Sequence, residues 1–172
     1  MGPVTYIGLD IGLSSPCAVA FIRGDRAEVR EIKPKTRTKD ENVRIGEIID
    51  GITEFICATC VNGDGVVAAY EQPFGKLNMR TFGALSRIAG GFIAACRIRG
   101  IKQVEAINIQ KIKMTFEGHG SADKEMMVRA AMLRYPTMGF DPDKANKQQH
   151  MADALGVAFT LREMEEGLGC SA

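Results

Sequence analysis

Two short apolar runs, each closed by a carboxylate, constrain the fold of this chain more than any other feature. Val4-Thr-Tyr-Ile-Gly-Leu-Asp10 and Val66-Val-Ala-Ala-Tyr-Glu71 are rich in β-formers and lead into turn residues, Gly12 to Pro16 and Gln72-Pro73, so both read as buried strands. Cys17 to Ile22 reads as a strand and Arg23 to Arg26 as a hairpin turn. Ala27 to Ile32 alternates in polarity, as a half-exposed antiparallel strand does. Lys33 to Lys39, with four basic residues and Pro34, is a loop. Ile45, Ile48, Ile49, Ile52 and Ile56 then recur at the spacing of one helical face.

Asn78 to Arg99 reads as a helix with small residues along one side, and Gln103 to Ile107 as a fifth strand. Gln110 to Gly120, rich in Lys and Gly, reads as irregular. Asp123 to Leu133 is a further helix closed by Tyr135-Pro136, and Gln148 to Glu165 is the last, with Met151, Leu155, Ala158, Phe159 and Leu161 on its buried side. The order βββαβαβαα predicts an α/β fold, a five-stranded mixed sheet flanked by helices. At 172 residues, without repeats or a long linker, the expectation is one domain over residues 1–172.

Composition narrows the function classes. Lys+Arg of 22 against Asp+Glu of 21 leaves a net charge of +1, so a nucleic-acid surface has to come from local clustering. Five cysteines at irregular spacing argue against a disulfide framework and for a reducing cytoplasm. Cys57-Ala-Thr-Cys60, with no second pair nearby, reads as two packed thiols at a helix end. The first residues carry no basic segment followed by an apolar run, and no run approaches the ~20 residues of a membrane span. A cytoplasmic protein without membrane contact is expected.

Asp10 and Glu71 end buried strands, where functional groups of open α/β sheets collect. On the last helix, His150 and Asp153 stand three apart and so share a face. Converging carboxylates repel unless a cation lies between them, and oxygen donors with one imidazole suit Mg²⁺ or Mn²⁺ better than zinc. The plainer reading of each is a solvated strand end or a charged first helical turn.

Four blocks together resemble the RuvC family of Holliday-junction resolvases: Ile7-Gly-Leu-Asp10-Ile-Gly-Leu-Ser-Ser, Glu71-Gln-Pro-Phe74, Gly118-His-Gly-Ser-Ala-Asp-Lys124-Glu, and His150-Met-Ala-Asp153-Ala-Leu-Gly-Val-Ala. They occur in the family's order and span nearly the whole chain. The resemblance implies an RNase H-like fold and a homodimeric crossover junction endodeoxyribonuclease that makes paired symmetric nicks and leaves 5′-phosphate ends. It implies Asp10, Glu71, His150 and Asp153 as ligands of two catalytic divalent ions, Mg²⁺ or Mn²⁺; many members carry Asp where this chain has His150. It implies Lys113 and Lys124 as catalytic cations beside the scissile phosphate. Phe74, Lys76, Arg80 and Arg87 are expected to contact DNA with those lysines, Phe74 by stacking on junction bases. Branched or four-way DNA is the expected partner, with a branch-migration complex a candidate. Competing readings are a non-catalytic branched-DNA binder, an RNase H-like nuclease acting on RNA, and a nucleotide-binding relative of actin and the sugar kinases, whose phosphate hairpin Gly8 to Ser15 resembles but whose second domain 172 residues do not supply.

Overall fold

Each apolar run forms the strand its pattern predicts. In the computed structural model, which describes residues 2–60, 65–73 and 78–167, β1 is Thr5–Asp10, β2 Cys17–Arg23 and β3 Arg26–Ile32. Helix α1 (Glu41–Thr59) leads to β4 (Val66–Glu71), α2 (Met79–Ile98) to β5 (Val104–Ile107). Three helices follow: α3 (Ile109–Glu117), α4 (Lys124–Arg134) and, after two 3₁₀ turns, α5 (Ala145–Glu165). The sheet order is β3-β2-β1-β4-β5. The meander β1-β2-β3 is antiparallel, whereas β4 and β5 run parallel to β1, because each of these is reached through a helical crossover.

Period-two alternation sorts the side chains between two cores. Ile7, Leu9, Val19 and Phe21 pack against α1 and α2 through Ile48, Ile52, Phe55, Ile88 and Phe92. Tyr6, Ala18, Ala20 and Ala69 pack on the opposite face, against α3, α4 and above all α5. Residues 152–161 of α5 are all buried, so this helix fills the centre of its layer. Glycine governs how closely it approaches: a Cβ on Gly8 would come 2.4 Å from both Ala154 O and Ala158 N, and only a residue without a side chain lets the helix backbone rest on β1.

Three expectations are corrected. The stretch from Gln110 to Gly120 is not irregular but is mostly helix α3, capped by the Asn108 side chain accepting from Gln110 N–H and closed by Gly118 at φ 93°. Cys57 is exposed while Cys60 is buried, so the pair is not two packed thiols. Helix α5 starts at Ala145, a turn before Gln148. Among the described residues no helix is long and apolar enough to cross a membrane.

Candidate metal centre

Strand register brings the first two carboxylates together. Leu9 pairs with Tyr70 across parallel β1 and β4, so the next residues, Asp10 and Glu71, leave adjacent strands side by side. By alternation Asp10 follows Tyr6 and Gly8, and Glu71 follows Ala69, onto the face that α5 covers. The close approach allowed by Gly8 then sets Asp153 and His150 over the end of β1. Ligand atoms of Asp10, His150 and Asp153 all lie within 4.8 Å of one another. His150 Nδ1 is hydrogen-bonded to Asp10 Oδ2 at 2.7 Å. Glu71 borders this group without entering it.

The electrostatics are those of carboxylates held out of water. Asp10 and Asp153 are only 7% and 6% exposed. Burial raises the Asp10 carboxyl above its usual range, with His150 opposing. Burial and the nearby Asp10 push Asp153 up to about 7, against hydrogen bonding from Gln149 and the charges of His150 and Lys113. Glu71 is pushed up to about 8, first by burial and then by Asp10 and Asp153, with Lys113 opposing. His150 is raised mainly by its bond to Asp10. Buried carboxylates that resist ionising together are relieved by a cation between them. Three carboxylates and one imidazole make an oxygen-rich donor set that suits Mg²⁺ or Mn²⁺, so Asp10, Asp153 and His150, with Glu71 beside them, fit divalent metal use.

The surroundings hold this arrangement in place. The turn after Asp10 is clamped by Cys17, whose Sγ accepts from Gly12 N–H at 3.1 Å and donates to Gly12 O at 2.9 Å. Burial lifts that thiol to about 12, so Cys17 works as a neutral hydrogen-bonding group. Sequence reasoning did not single out Cys17 or Gln149. Gln149 was legible as the i, i+4 partner of Asp153, whereas Cys17 was legible only as an apolar strand residue. Arg44 donates to Leu13 O at 2.5 Å, and the turn with the β3–α1 loop encloses a cleft of about 370 Å³ bordered by Lys33, Arg37 and Arg44. The basic loop thus stands beside the turn that follows Asp10.

The remaining candidates divide. Lys113 on α3 is half-buried, donates from Nζ to Ala122 O at 2.6 Å, and lies close enough to lower the pKa of both Glu71 and Asp153. Lys124 is exposed at the start of α4, behind the cap Asp123, and among the described residues no hydrogen bond or ion pair joins it to the cluster. Arg80 and Arg87 meet across one carboxylate, at 3.1 and 2.5 Å from Glu41. Phe74 and Lys76 lie outside the described residues.

Fold and site together define an RNase H-like α/β protein with a carboxylate–histidine cluster at the sheet's carboxyl edge. Its architecture is that of RuvC. RuvC from Thermus thermophilus in complex with a Holliday junction substrate superposes with a TM-score of 0.77 at 18% identity, covering 96% of this chain and 97% of that one. A second T. thermophilus RuvC structure gives 0.69 at 19% identity, covering 95% and 97%. No protein-family model matches the chain. None of the curated proteins compared with it matches by sequence.

Proposed function

We propose that this chain, residues 1–172 as one domain, is a divalent-metal-dependent endodeoxyribonuclease that resolves four-way DNA junctions by paired symmetric nicks. The observation that carries the reading is the cluster of Asp10, His150 and Asp153 within 4.8 Å, bordered by Glu71, at the carboxyl edge of the sheet. The likeness to a RuvC bound to a junction and the four sequence blocks support DNA as the substrate. Two nicks in strands of like polarity require two sites related by symmetry, so the active form is proposed to be a homodimer.

Asp10, Glu71, Asp153 and His150 would hold the Mg²⁺ or Mn²⁺. Ions bound there would supply a water of lowered pKa and neutralise charge on the leaving 3′ oxygen, leaving a 5′ phosphate. Asp10, hydrogen-bonded to His150 and acting on both Glu71 and Asp153, is proposed as the ligand least open to replacement. The hydrogen bond between His150 Nδ1 and Asp10 Oδ2 supports a role for His150 as a metal ligand or in positioning the water. Lys113 brings a positive charge next to the cluster, where a phosphate gaining charge in the transition state is stabilised. Lys124 is proposed to reach the DNA backbone from the exposed start of α4. Arg80, Arg87 and the loop from Lys33 to Lys39 would contact phosphates, and Phe74 and Lys76 would contact the junction near its crossover.

The test is cleavage of an end-labelled synthetic four-way junction in Mg²⁺ and in Mn²⁺, with linear duplex, an RNA–DNA hybrid and Asp10→Asn protein alongside. Paired nicks at symmetric positions with ligatable ends, lost in Asp10→Asn, are expected. Tight junction binding without cutting in either metal would leave a branched-DNA binder instead, and cutting confined to the hybrid would make RNA the substrate.

A further inference from the structure

At the opposite end of the sheet from the metal cluster, where β2 turns into β3, α4 and α5 border an open cleft of about 460 Å³. Arg162 stands twelve residues beyond His150 on α5, about 18 Å along the helix. The cleft is lined by Asp25, Arg134, Tyr135, Phe159 and Arg162.

Both guanidiniums lie over the same buried ring. The Arg134 and Arg162 guanidinium carbons are 4.2 and 4.8 Å from the Phe159 centroid. Stacking uses the face of a guanidinium and leaves the N–H edge for an acceptor in its plane. Arg134 spends Nε on Phe116 O at 2.9 Å, and among the described residues its terminal nitrogens meet no carboxylate. Arg162 forms an ion pair with Glu163 at 3.5 Å through one terminal nitrogen, and its Nε is buried without a partner. Asp25 pairs with neither arginine among the described residues. The Tyr135 hydroxyl is also buried without a partner in a side chain only 9% exposed; burial raises its pKa, Arg162 and Arg134 oppose that rise and Glu163 adds to it. Buried polar groups are ordinarily satisfied. Here two cationic side chains and a tyrosine, two of the three with an unpartnered buried polar atom, line one cleft whose carboxylate, Asp25, pairs with neither arginine among the described residues.

We propose that this cleft is a second, anion-binding site that takes a phosphate group, with the edges of Arg134 and Arg162 binding its oxygens and the Tyr135 hydroxyl as a third donor. The proposal is independent of the nuclease reading. The phosphate's source is either a free phosphate monoester or the backbone of a DNA arm, and the two are separable by experiment.

The experiment is calorimetric titration of the whole protein with inorganic phosphate in chelator, repeated on Arg134→Gln and Tyr135→Phe. One phosphate per chain is expected, weakened about tenfold in Arg134→Gln by loss of charge-assisted hydrogen bonds. Tyr135→Phe keeps the ring and removes an orphaned hydroxyl. Its thermal midpoint without phosphate should equal or exceed the wild type's, while its phosphate affinity falls several-fold. A nucleoside 5′-monophosphate and a linear duplex are titrated in parallel. Tighter binding of the monophosphate, lost in Arg134→Gln, makes the ligand a free phosphate ester. A salt slope for the duplex reduced by about one in Arg134→Gln makes it a DNA phosphate. Undiminished phosphate binding in either variant, or none by the wild-type protein, overturns the site.

Discussion

Lys113 and Glu41 show how single charges tune the proposed chemistry. Lys113 opposes the upward shifts of Glu71 and Asp153, so Lys113→Gln should raise both carboxyls further and weaken divalent binding at neutral pH. Junction cleavage is expected to fall by about a hundredfold, with the Mg²⁺ titration midpoint moving to higher concentration; an unchanged midpoint would separate Lys113 from the metal centre. Glu41 holds Arg80 and Arg87 together, and both arginines lower its carboxyl pKa. Removing that carboxylate with Glu41→Gln takes the counter-charge from two cations at an exposed surface, Arg87 keeping its bond to Asn42, so junction affinity should rise, more at low salt than at high. Filter binding at two ionic strengths checks this. No change would mean that Arg80 and Arg87 serve the contact between α1 and α2 and not DNA.

At the scale of elements, the contact of β1 with α5 decides the site. Gly8→Ala would drive a methyl into the backbone of Ala154 and Ala158 and should destabilise by about 3 kcal/mol, read as a lower urea midpoint at constant slope. Cleavage should fall further than stability predicts, because pushing α5 outward separates Asp153 from Asp10. Gly46→Ala in α1, where a Cβ meets nothing within 4 Å, is the control and should stabilise by about 1 kcal/mol. Strands β1 and β4 were legible because a carboxylate ends each apolar run, and α5 because its apolar residues are dense. Helix α3 was hidden by its lysines, although Ile109, Ile112 and Phe116 keep helical spacing and Asn108 with Gly118 supply the caps. The nearness of Asp10 to His150 was legible only through family likeness, since no local pattern reports a packing distance. The opposed roles of Arg80, Arg87 and Glu41 depend on how α1 meets α2, which periodicity does not encode.

For the molecule as a whole, the buried acidic centre makes stability depend on pH and metal. Glu71 and Asp153 rise from 4.5 and 3.8 to about 8 and about 7, and Asp10 and His150 shift in the same direction. The folded chain therefore retains protons that the unfolded chain releases. The stability this contributes is full below pH 4 and is lost as pH rises to about 8. In chelator the unfolding free energy should fall between pH 5 and 8 by an amount on the order of a few kcal/mol, read as a lower thermal midpoint. Mn²⁺ should restore it more at pH 8 than at pH 5, because only the deprotonated centre binds metal. Equal metal-induced shifts at both pH values would place the ion elsewhere. The hydrogen bond from His150 to Asp10 spans 140 residues of sequence, which carries a consequence for biosynthesis. A chain emerging from the ribosome displays Asp10 and Glu71 long before α5 is made, so no growing intermediate can bring His150 and Asp153 to Asp10. Under the proposed function, a product truncated before Asp153 should not cut DNA.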